Sequence, residues 1–455
     1  MPSEYLAIPA DADVRSARVW VGRTVKGPAD PSRVWLEHRH SGARVPLGQW
    51  QSWNVPGDPG AFIDYQRITV PALEPRTRYT MALKVDGREV ASCEVTTLPQ
   101  ALPLATERPF TMLIGSCFCR LQDASGRVGR TFAQLPDGAR PDVKILMGDQ
   151  VYLDSPWFRF VRPHSDKGLA GGFLDHYLQT WDQAGDQQGF KLLLRTGANY
   201  FCADDHEFWN NGPFPSSFAV NTWTEGGRHA WWTRATDLFR AFQSERSLSQ
   251  FRVGNLQVAI LDTRVNRRPD RSGFVTDADF TALEAWLKSL VMPGVLVLGQ
   301  PVFATRAGFM GRFADWNLPD FKQYEALCRL LLSSRQSVVI LTGDVHYGRI
   351  AVATLPSGGE LAEIISSPMA LVDRSAGGKW HPAPGFFPAE AMPGLARLSV
   401  THVAKWQRFA NHFVTLECSD HGGGLRLRVR TWETEPVDAI SRGEVVADRF
   451  FKRVA

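Results

Sequence analysis

The chain has 455 residues and a formal net charge of +4, and 44% of its residues are hydrophobic and 22% are charged. This length is enough for two or three domains with a large core, and the composition is ordinary for a globular protein. The basic residues form no long run, which argues against a nucleic-acid-binding face, and no segment has the length of a membrane-spanning helix.

Six cysteines are scattered along the chain without the dense spacing of a disulfide framework. We therefore expect most of them to be buried thiols in a reducing compartment. The first ten residues contain no basic segment, no apolar segment and no twin arginine, so they do not resemble an export leader. Together these features predict a cytoplasmic protein.

Residues 1–97 have the patterning of a β-sandwich. Their short runs alternate between apolar and polar positions and are separated by turn residues, which is typical of half-buried strands. Within them, residues 73–79 resemble the turn and tyrosine corner of a fibronectin type III-like module. Residues 98–109 are rich in proline, which extends the backbone, and we interpret them as a linker. Residues 110–455 would then form the second domain.

Six apolar runs in this second domain each end in polar residues that are able to carry chemistry. The runs are 111–115, 143–147, 199–203, 256–261, 295–298 and 338–342. Short apolar runs bounded by turn residues are typical of buried strands. Because ligands bind beyond the carboxyl ends of strands in α/β sheets, the polar endings are expected to meet at one edge of a sheet.

The remaining segments of this domain alternate with the predicted strands. Residues 277–288 and 321–332 have the spacing of amphipathic helices, and the first of them has an acidic start. Residues 154–195 form a longer excursion, which we interpret as a helical insertion, with a lid as the alternative. Residues 398–455 return to strand patterning.

Acidic residues and histidines follow three of the runs. Asp149 is separated from its strand by one glycine, and its carboxylate is able to bridge two cations. Residues 204–207 place two aspartates, a histidine and a glutamate directly after another strand, and this concentration of negative charge is costly without cations. Asp344 and His346 form a second such set. The three segments together predict a metal site.

Two further residues have more than one interpretation. Cys117 follows the first run, and the usual interpretation of such a cysteine is a buried, inert thiol. Arg264 is either a structural ion-pair residue or a contact for an oxyanion, and the residues alone favour neither.

The order of the strand-end motifs resembles that of a known family. In chain order, these motifs are Gly115-Ser-Cys117, Gly148-Asp-Gln-Val-Tyr152, Asp204-Asp-His-Glu207 with Asn210-Asn211, Leu261-Asp-Thr-Arg264, Leu298-Gly-Gln300 and Gly343-Asp-Val-His346. Their sequence resembles the PhoD-like alkaline phosphatase/phosphodiesterase family of the calcineurin-like metallophosphoesterases. The resemblance implies an α+β fold, namely an αββα metallophosphoesterase sandwich with an N-terminal fibronectin type III-like β-sandwich.

The resemblance also implies a dinuclear or larger metal centre, most simply iron(III) with calcium, although other divalent metals fit as well. The residues implied to hold the iron are Cys117, Asp149, Tyr152 and His346. Asp149 would bridge to the second metal, which Asp205 and Asp344 would bind. Thiolate, phenolate and carboxylate groups suit a trivalent cation, and oxygen ligands suit a hard divalent ion such as calcium.

On the same resemblance, His206 would stand near the leaving-group oxygen and act as a catalytic residue together with Arg264. Asp204 and Asn211 would support the metal ligands or face the phosphate. Two residues depart from the family pattern, namely Gln150, where an apolar or aromatic residue is usual, and a second thiol at Cys119. The missing twin-arginine leader argues against phosphate scavenging outside the cell.

These observations predict a metal-dependent hydrolase that attacks phosphoric esters with a metal-activated water. It would act as a phosphomonoesterase, a phosphodiesterase or both, with a phosphate ester as its partner and no specific nucleic-acid site. Two alternatives stay open at this point. One is a phospholipase D-like diesterase, and the other is a catalytically silent binding module on the same fold. The sequence assigns no oligomeric state.

Overall fold

The computed structural model describes residues 3–28, 30–183, 189–309, 315–371, 381–406, 411–434 and 443–454. Its first eight strands are β1 (Tyr5–Ala12), β2 (Ala17–Arg23), β3 (Val34–His38), β4 (Arg44–Pro46), β5 (Gln51–Val55), β6 (Asp58–Val70), β7 (Arg78–Val85) and β8 (Arg88–Thr96). They form two four-stranded antiparallel sheets with the strand orders β1-β2-β6-β5 and β4-β3-β7-β8. The predicted N-terminal β-sandwich is confirmed.

The tyrosine corner in this sandwich has the expected geometry. The hydroxyl of Tyr79, near the start of β7, accepts a hydrogen bond from the backbone N–H of Glu74 at 2.7 Å. A tyrosine that bonds to the backbone a few residues upstream is characteristic of immunoglobulin-like and fibronectin-like sandwiches. This contact fixes the turn before β7 and agrees with the resemblance of residues 73–79.

The rest of the chain forms fourteen further strands and six α-helices among the described residues. In chain order these are β9 (Phe110–Gly115), α1 (Arg127–Ala133), β10 (Val143–Met147), α2 (Asp166–Trp181), α3 (Phe190–Arg195), β11 (Ala198–Cys202), α4 (Glu225–Phe242), β12 (Leu248–Val253), β13 (Leu256–Leu261), α5 (Asp277–Lys288), β14 (Gly294–Val297), α6 (Gln323–Leu332), β15 (Val338–Thr342), β16 (Gly348–Thr354), β17 (Glu360–Ile365), β18 (Phe386–Phe387), β19 (Leu398–Trp406), β20 (His412–His421), β21 (Gly424–Glu433) and β22 (Glu444–Phe451). Each of the six apolar runs is a strand, and both predicted helices are present.

These strands form two sheets that face each other. One has the order β11-β10-β9-β20-β21-β22, and the other has the order β12-β13-β14-β15-β17-β16-β19-β18. β9, β10 and β11 are parallel to one another, and so are β13, β14, β15 and β17. The central parallel strands are buried along their whole length, as expected for parallel sheets that are covered on both faces.

The alternation of side chains along the strands explains the layers. Met112 and Ile145 point between the two sheets and pack in one cluster with Val258 and Val339. Their neighbour Leu113 points the other way, into a cluster with helices α1–α4. On the second sheet, alternate residues pack against α5 and α6 in the same manner. Because successive residues of a strand face opposite sides, each sheet buries two faces and the layers are helix, sheet, sheet, helix.

The N-terminal sandwich packs directly on this layered part. The side-chain amide of Asn199 in β11 donates to the carbonyl of Pro9 at 2.6 Å, and the indole N–H of Trp20 donates to the carbonyl of Ala241 at 2.7 Å. The hydroxyl of Tyr200 donates to the carbonyl of Ala12 at 3.1 Å. These buried bonds tie β1 to the strand that leads to residues 204–207, and β2 to helix α4.

All six cysteines are buried free thiols, as expected from their spacing. The segment 154–195 contains α2 and α3, and the C-terminal strand pattern corresponds to β19–β22. Among the described helices, none is both long enough and apolar enough to cross a bilayer.

Lys144 gives a pH-dependent test of this fold, because it lies fully buried in β10. Its ammonium donates to the carbonyl of Gly197 at 3.0 Å, and burial lowers its pKa from 10.5 to about 7. Between these two values the unfolded chain binds more protons, so this residue's contribution to stability rises with pH. We expect the stability of the wild type relative to Lys144→Met to increase from pH 7 to pH 10, as measured by urea unfolding. Parallel pH dependence of the two proteins would contradict this prediction.

Candidate metal centre

The polar endings of all six strands meet at one edge of the facing sheets. The thiol of Cys117 lies 3.3 Å from a carboxylate oxygen of Asp149 and 3.5 Å from the carbonyl oxygen of Asp344. The backbone N–H of His206 donates to the other oxygen of Asp149 at 3.1 Å. The side-chain amide of Gln300 donates to the carboxylate of Asp344 at 3.0 Å. Segments separated by up to about half of the chain are therefore in direct contact.

Five residues at this edge have left-handed backbone conformations that side chains rarely adopt. They are Cys117 (φ 57°), Asp149 (φ 59°), Asn211 (φ 70°), Asp344 (φ 70°) and His346 (φ 58°). Such residues cost on the order of 1–3 kcal/mol each and persist only where the surrounding structure determines them. Their concentration on residues of the predicted site is the pattern of a functional centre.

Two glycines allow the loops to approach one another closely. Gly148 has φ 94°, and a Cβ atom placed there would lie 2.4 Å from the Cβ of Asp204. A Cβ on Gly343 would lie 2.4 Å from the hydroxyl oxygen of Ser116. Each glycine directly precedes an aspartate of the site, so the glycine-aspartate pairs follow from packing as well as from chain direction.

The carboxylate of Glu207 holds the loops after β10 and β11 together. It accepts the backbone N–H groups of Asp149 at 2.8 Å, Gln150 at 2.7 Å, Val151 at 3.3 Å and Asp204 at 2.9 Å. The side chain is fully buried. One carboxylate therefore satisfies the donors of both turns and fixes the positions of the aspartates that these turns carry.

Two overlapping groups of side chains have the spacing of a metal site. Ligand atoms of Asp149, Asp205 and His206 lie within 4.8 Å of one another, and so do those of Asp204, Asp205 and Asp344. Asp205 belongs to both groups. Two adjacent groups of this kind offer ligands to two neighbouring cations.

The electrostatics of these carboxylates require compensation. Burial raises the pKa of Asp149, of Asp205 and of Asp344, and it raises the pKa of Asp204 to about 6. Burial and the nearby Asp149 also raise the pKa of the Cys117 thiol. So many acidic groups in one buried place are unstable as anions unless cations neutralise them.

Three buried polar atoms of the centre have no hydrogen-bond partner in the described part of the chain. They are the phenol oxygen of Tyr152, one carboxylate oxygen of Asp204 and the side-chain oxygen of Asn211. Buried polar atoms are almost always paired, so unpaired oxygens beside a cluster of carboxylates indicate room for a cation. The residues present therefore fit a metal centre.

His206 is partly buried and held in a defined orientation. Its Nδ1 lies 2.8 Å from a carboxylate oxygen of Asp154, and its ring stacks on that of Tyr152 with 4.2 Å between the centroids. The other oxygen of Asp154 accepts the backbone N–H of Asn210 at 2.7 Å. Burial alone lowers the pKa of His206, but the carboxylates of Asp154 and Asp205 raise it well above its ordinary value.

His346 has the opposite character. Burial and the neighbouring His206 lower its pKa to about 4. Its backbone N–H donates to the hydroxyl of Ser367 at 3.1 Å, and the same hydroxyl lies 3.2 Å from the sulfur of Cys117. At neutral pH the ring of His346 is therefore uncharged and has a lone pair available for a metal.

Arg264 is fully buried and makes contacts with all of its side-chain nitrogens. Its Nε donates to Asp204 at 2.8 Å, and its two terminal nitrogens bond to Asp204, to the carbonyl of Gly212 and to Asp315. Of the two interpretations of this residue, these contacts favour the ion pair, because all five N–H groups already have acceptors. Arg264 thus acts on the centre through Asp204.

Three residues of the centre had no predicted role, namely Asp154, Glu207 and Asp315. Asp154 follows no apolar run, and Asp315 stands outside every motif. Glu207 belongs to a motif, but its function depends on backbone groups near residue 149. The sequence offers one hint, for Asp154: it is five residues after Asp149 and therefore lies on the same loop.

No protein-family model matches the sequence, and no curated protein matches it. Two solved structures are similar in fold. The structure of PhoD has a TM-score of 0.65 and 16% identity, and the match covers 98% of this chain and 90% of that chain. Purple acid phosphatase PPD1 from yellow lupin (Lupinus luteus) seeds has a TM-score of 0.59 and 13% identity, with 98% of this chain and 73% of that chain covered.

The chain shares its fold with PhoD and with this purple acid phosphatase. The similarity extends over almost its whole length and includes the N-terminal sandwich, so the fold implied by the order of the motifs is confirmed. At these identities the similarity concerns the fold, and the chemistry of the centre has to be argued from its residues.

Gly148→Ala tests how closely the loop after β10 must approach Asp204 in the loop after β11. The new Cβ would collide with Asp204, so we expect a loss of about 1–3 kcal/mol in stability beyond the strain of a left-handed alanine, together with weaker metal binding. Gly42→Ala is the matched control, because Gly42 has φ 70° and no neighbour within 4 Å. Chemical unfolding and metal content measure the two effects. Equal behaviour of the two variants would show that the contact with Asp204 is unimportant.

Proposed function

We propose that this protein is a metal-dependent hydrolase of phosphoric esters. The observation that carries the proposal is the pair of adjacent ligand groups at the carboxyl ends of the strands of two facing sheets. The fold shared with PhoD and a purple acid phosphatase supports it. Anionic ligands and two adjacent cations form a site that attracts phosphate oxygens.

We further propose that iron(III) and calcium occupy the centre. The ligands proposed for iron are Cys117, Asp149, Tyr152 and His346. The contact of 3.3 Å between the sulfur of Cys117 and Asp149, the unpaired phenol of Tyr152 and the uncharged His346 support this set. The oxygen ligands Asp205 and Asp344 would suit the harder divalent ion, and Asp149 is proposed to serve both metals.

When bound, the two cations would neutralise phosphate oxygens and activate water for attack on phosphorus. The protein's own part is to hold the ligands in place before the substrate arrives. Glu207 fixes the two turns that carry Asp149 and Asp204, and Arg264 fixes Asp204 in turn. The backbone N–H of Asn211 donates to Asp205 at 2.9 Å and orients it. Such preorganisation lowers the reorganisation cost of the reaction.

His206 is proposed to protonate the departing oxygen. Asp154 accepts from its Nδ1, which leaves Nε2 as the position that carries or releases the second proton. A positioned acid of this kind contributes about 10²–10⁴ in rate. His206 also belongs to one of the two groups with metal spacing, so a metal-ligand role is the alternative that the experiment must separate.

The first test joins metal content to activity. We expect the purified protein to hold at least two metal ions per chain and to hydrolyse a generic phosphomonoester, a phosphodiester or both. Asp149→Ala should lose metal and activity, because one carboxylate serves both ions. Cys119→Ala is the control, because Cys119 is a buried thiol next to the centre to which we assign only packing.

Different failures of this test have different meanings. Protein that binds metals but hydrolyses no phosphoric ester would indicate a silent binding module on this fold. Hydrolysis restricted to phospholipid head groups would indicate the phospholipase D-like alternative. Equal loss from the two substitutions would mean that Asp149 is not the shared ligand.

The second test concerns His206. We expect His206→Ala to retain metal and to lose about 10²–10⁴ in kcat, with a smaller loss for esters whose leaving groups are strongly acidic. Asp154→Asn should reproduce part of this loss, because it weakens the orientation of the ring. His229→Ala, an exposed histidine on α4, is the control. Loss of metal in His206→Ala, or an equal loss across all leaving groups, would refute the acid role.

A further inference from the structure

Five large apolar side chains are exposed on two segments beside the proposed centre. Trp157 is 59% exposed, Phe158 63%, Val161 49%, Phe218 54% and Trp223 60%. Single exposed apolar residues are common on protein surfaces, but a contiguous group of them is not. We call these five residues the aromatic rim.

The four aromatic residues of the rim are linked to one another directly or through Ser216. The ring of Trp157 lies 5.8 Å from that of Phe218 and 6.3 Å from that of Phe158, measured between centroids. Trp223 donates its indole N–H to the carbonyl of Ser216 at 2.9 Å, and the backbone N–H of Phe218 lies 3.5 Å from the hydroxyl of the same serine. The two segments therefore present one surface.

Both segments continue directly from residues of the centre. Trp157 is three residues after Asp154, which holds His206, and a chain of this length spans at most about 11 Å. Phe218 is seven residues after Asn211, whose N–H donates to Asp205. The aromatic rim is thus carried by segments that start at residues in contact with the centre, and Trp157 lies within about 11 Å of Asp154.

The backbone beneath the aromatic rim is firmly anchored. Phe160 is buried and packs against Trp231, with 5.0 Å between the ring centroids. The side-chain amide of Asn221 accepts from the backbone N–H of His164 at 2.8 Å and donates to its carbonyl at 2.9 Å. The buried side chain of Phe160 therefore anchors the first segment, while the rings of Trp157 and Phe158 stay exposed.

An anchored apolar surface at the border of an active site is suited to the part of the substrate that does not react. Aromatic residues contribute a large contact area for apolar groups and lose little conformational entropy on binding. Arg159 and Arg162, which are exposed on the same segment, add positive charge that attracts an anionic ester. A small, polar substrate would leave this surface uncovered.

We propose that the aromatic rim binds the organic substituent of the substrate, and that the preferred substrates are phosphoric esters with an apolar aryl or long alkyl group. The proposal rests on the function proposed above and specifies its substrate class. It predicts that the affinity for the substrate depends on the organic substituent, while the rate of the reaction at phosphorus does not.

The test uses the metal-loaded full chain and two unreactive probes. Phenylphosphonate and methylphosphonate share the phosphonate group and differ in apolar area, and calorimetry measures their dissociation constants. We expect phenylphosphonate to bind about tenfold more tightly, because burial of an aromatic ring lowers the dissociation constant by on the order of tenfold or more. Trp157→Ala and Phe218→Ala should abolish this difference and leave the affinity for methylphosphonate unchanged. Phe450→Ala, an exposed phenylalanine on β22, is the control.

A second measurement follows turnover with a constant leaving group. Methyl and octyl p-nitrophenyl phosphate both release p-nitrophenol, so their kcat/KM ratio reports the alkyl group alone. We expect the wild type to favour the octyl ester by about tenfold or more through KM, and Trp157→Ala to remove this preference with kcat unchanged.

The outcomes separate the two proposals. A wild type that hydrolyses neither of these diesters and no generic phosphomonoester, but still distinguishes the phosphonates, would overturn the proposed function and retain the aromatic rim as an apolar binding site. Equal affinity for both phosphonates in an active enzyme would overturn the inference alone. An equal loss with both substrates in Trp157→Ala would assign that residue to folding and also overturn the inference.

Discussion

The carboxylate of Glu207 is the contact on which the arrangement of the centre depends most directly. A turn that leaves a buried strand exposes backbone N–H groups that have no strand partner, and in the interior these groups must find an acceptor. Four such groups, from the turns after β10 and β11, converge on this one side chain. The same bonds that satisfy the backbone therefore set the separation of Asp149 and Asp204. One set of hydrogen bonds thus stabilises the fold and positions the proposed ligands, because the donor N–H groups belong to the loops that carry those ligands.

The second constraint is charge. Carboxylates cannot be gathered in the interior unless each has a counter-charge, and the chain supplies part of it through Arg264, which bonds to Asp204 and Asp315. Arg267 adds a second cation, with its Nη1 3.7 Å from Asp315. Burial lowers the pKa of Arg267 to about 10, so it is still charged at neutral pH. The proposed metal ions would neutralise the ligands that these arginines do not reach.

Strain and close approach complete the geometry. Left-handed residues such as Cys117 and Asp344 are tolerated because the two facing sheets fix the strands from which they emerge. The sheets are held in turn by clusters of alternate side chains on both faces. The aromatic rim differs from this rigid interior, because its supports are buried while its own side chains are exposed. This contrast suits a site in which the reacting groups are held rigidly in the interior and the rest of the substrate is bound by exposed side chains.

Much of this organisation was predictable because it depends on local patterns. The buried strands were recognised from apolar runs, and glycine-aspartate pairs such as Gly148 and Asp149 marked the points where they turn. The sandwich and its tyrosine corner followed from alternation and from residues 73–79. These features are local because a strand or turn is specified mainly by neighbouring residues. The order of the motifs then pointed to the fold, which the similarity to PhoD confirms.

The pairings across the centre were decided by the tertiary structure alone. Asp154 orients His206 across 52 positions of sequence, and Arg264 meets Asp204 across 60. Such contacts leave no local signature, because a side chain's partner depends on how the sheets bring separate loops together. The sequence by itself therefore determined which kinds of ligand are present and roughly where they emerge. Only the packed structure decided that all five N–H groups of Arg264 are already occupied and that Glu207 joins the two turns.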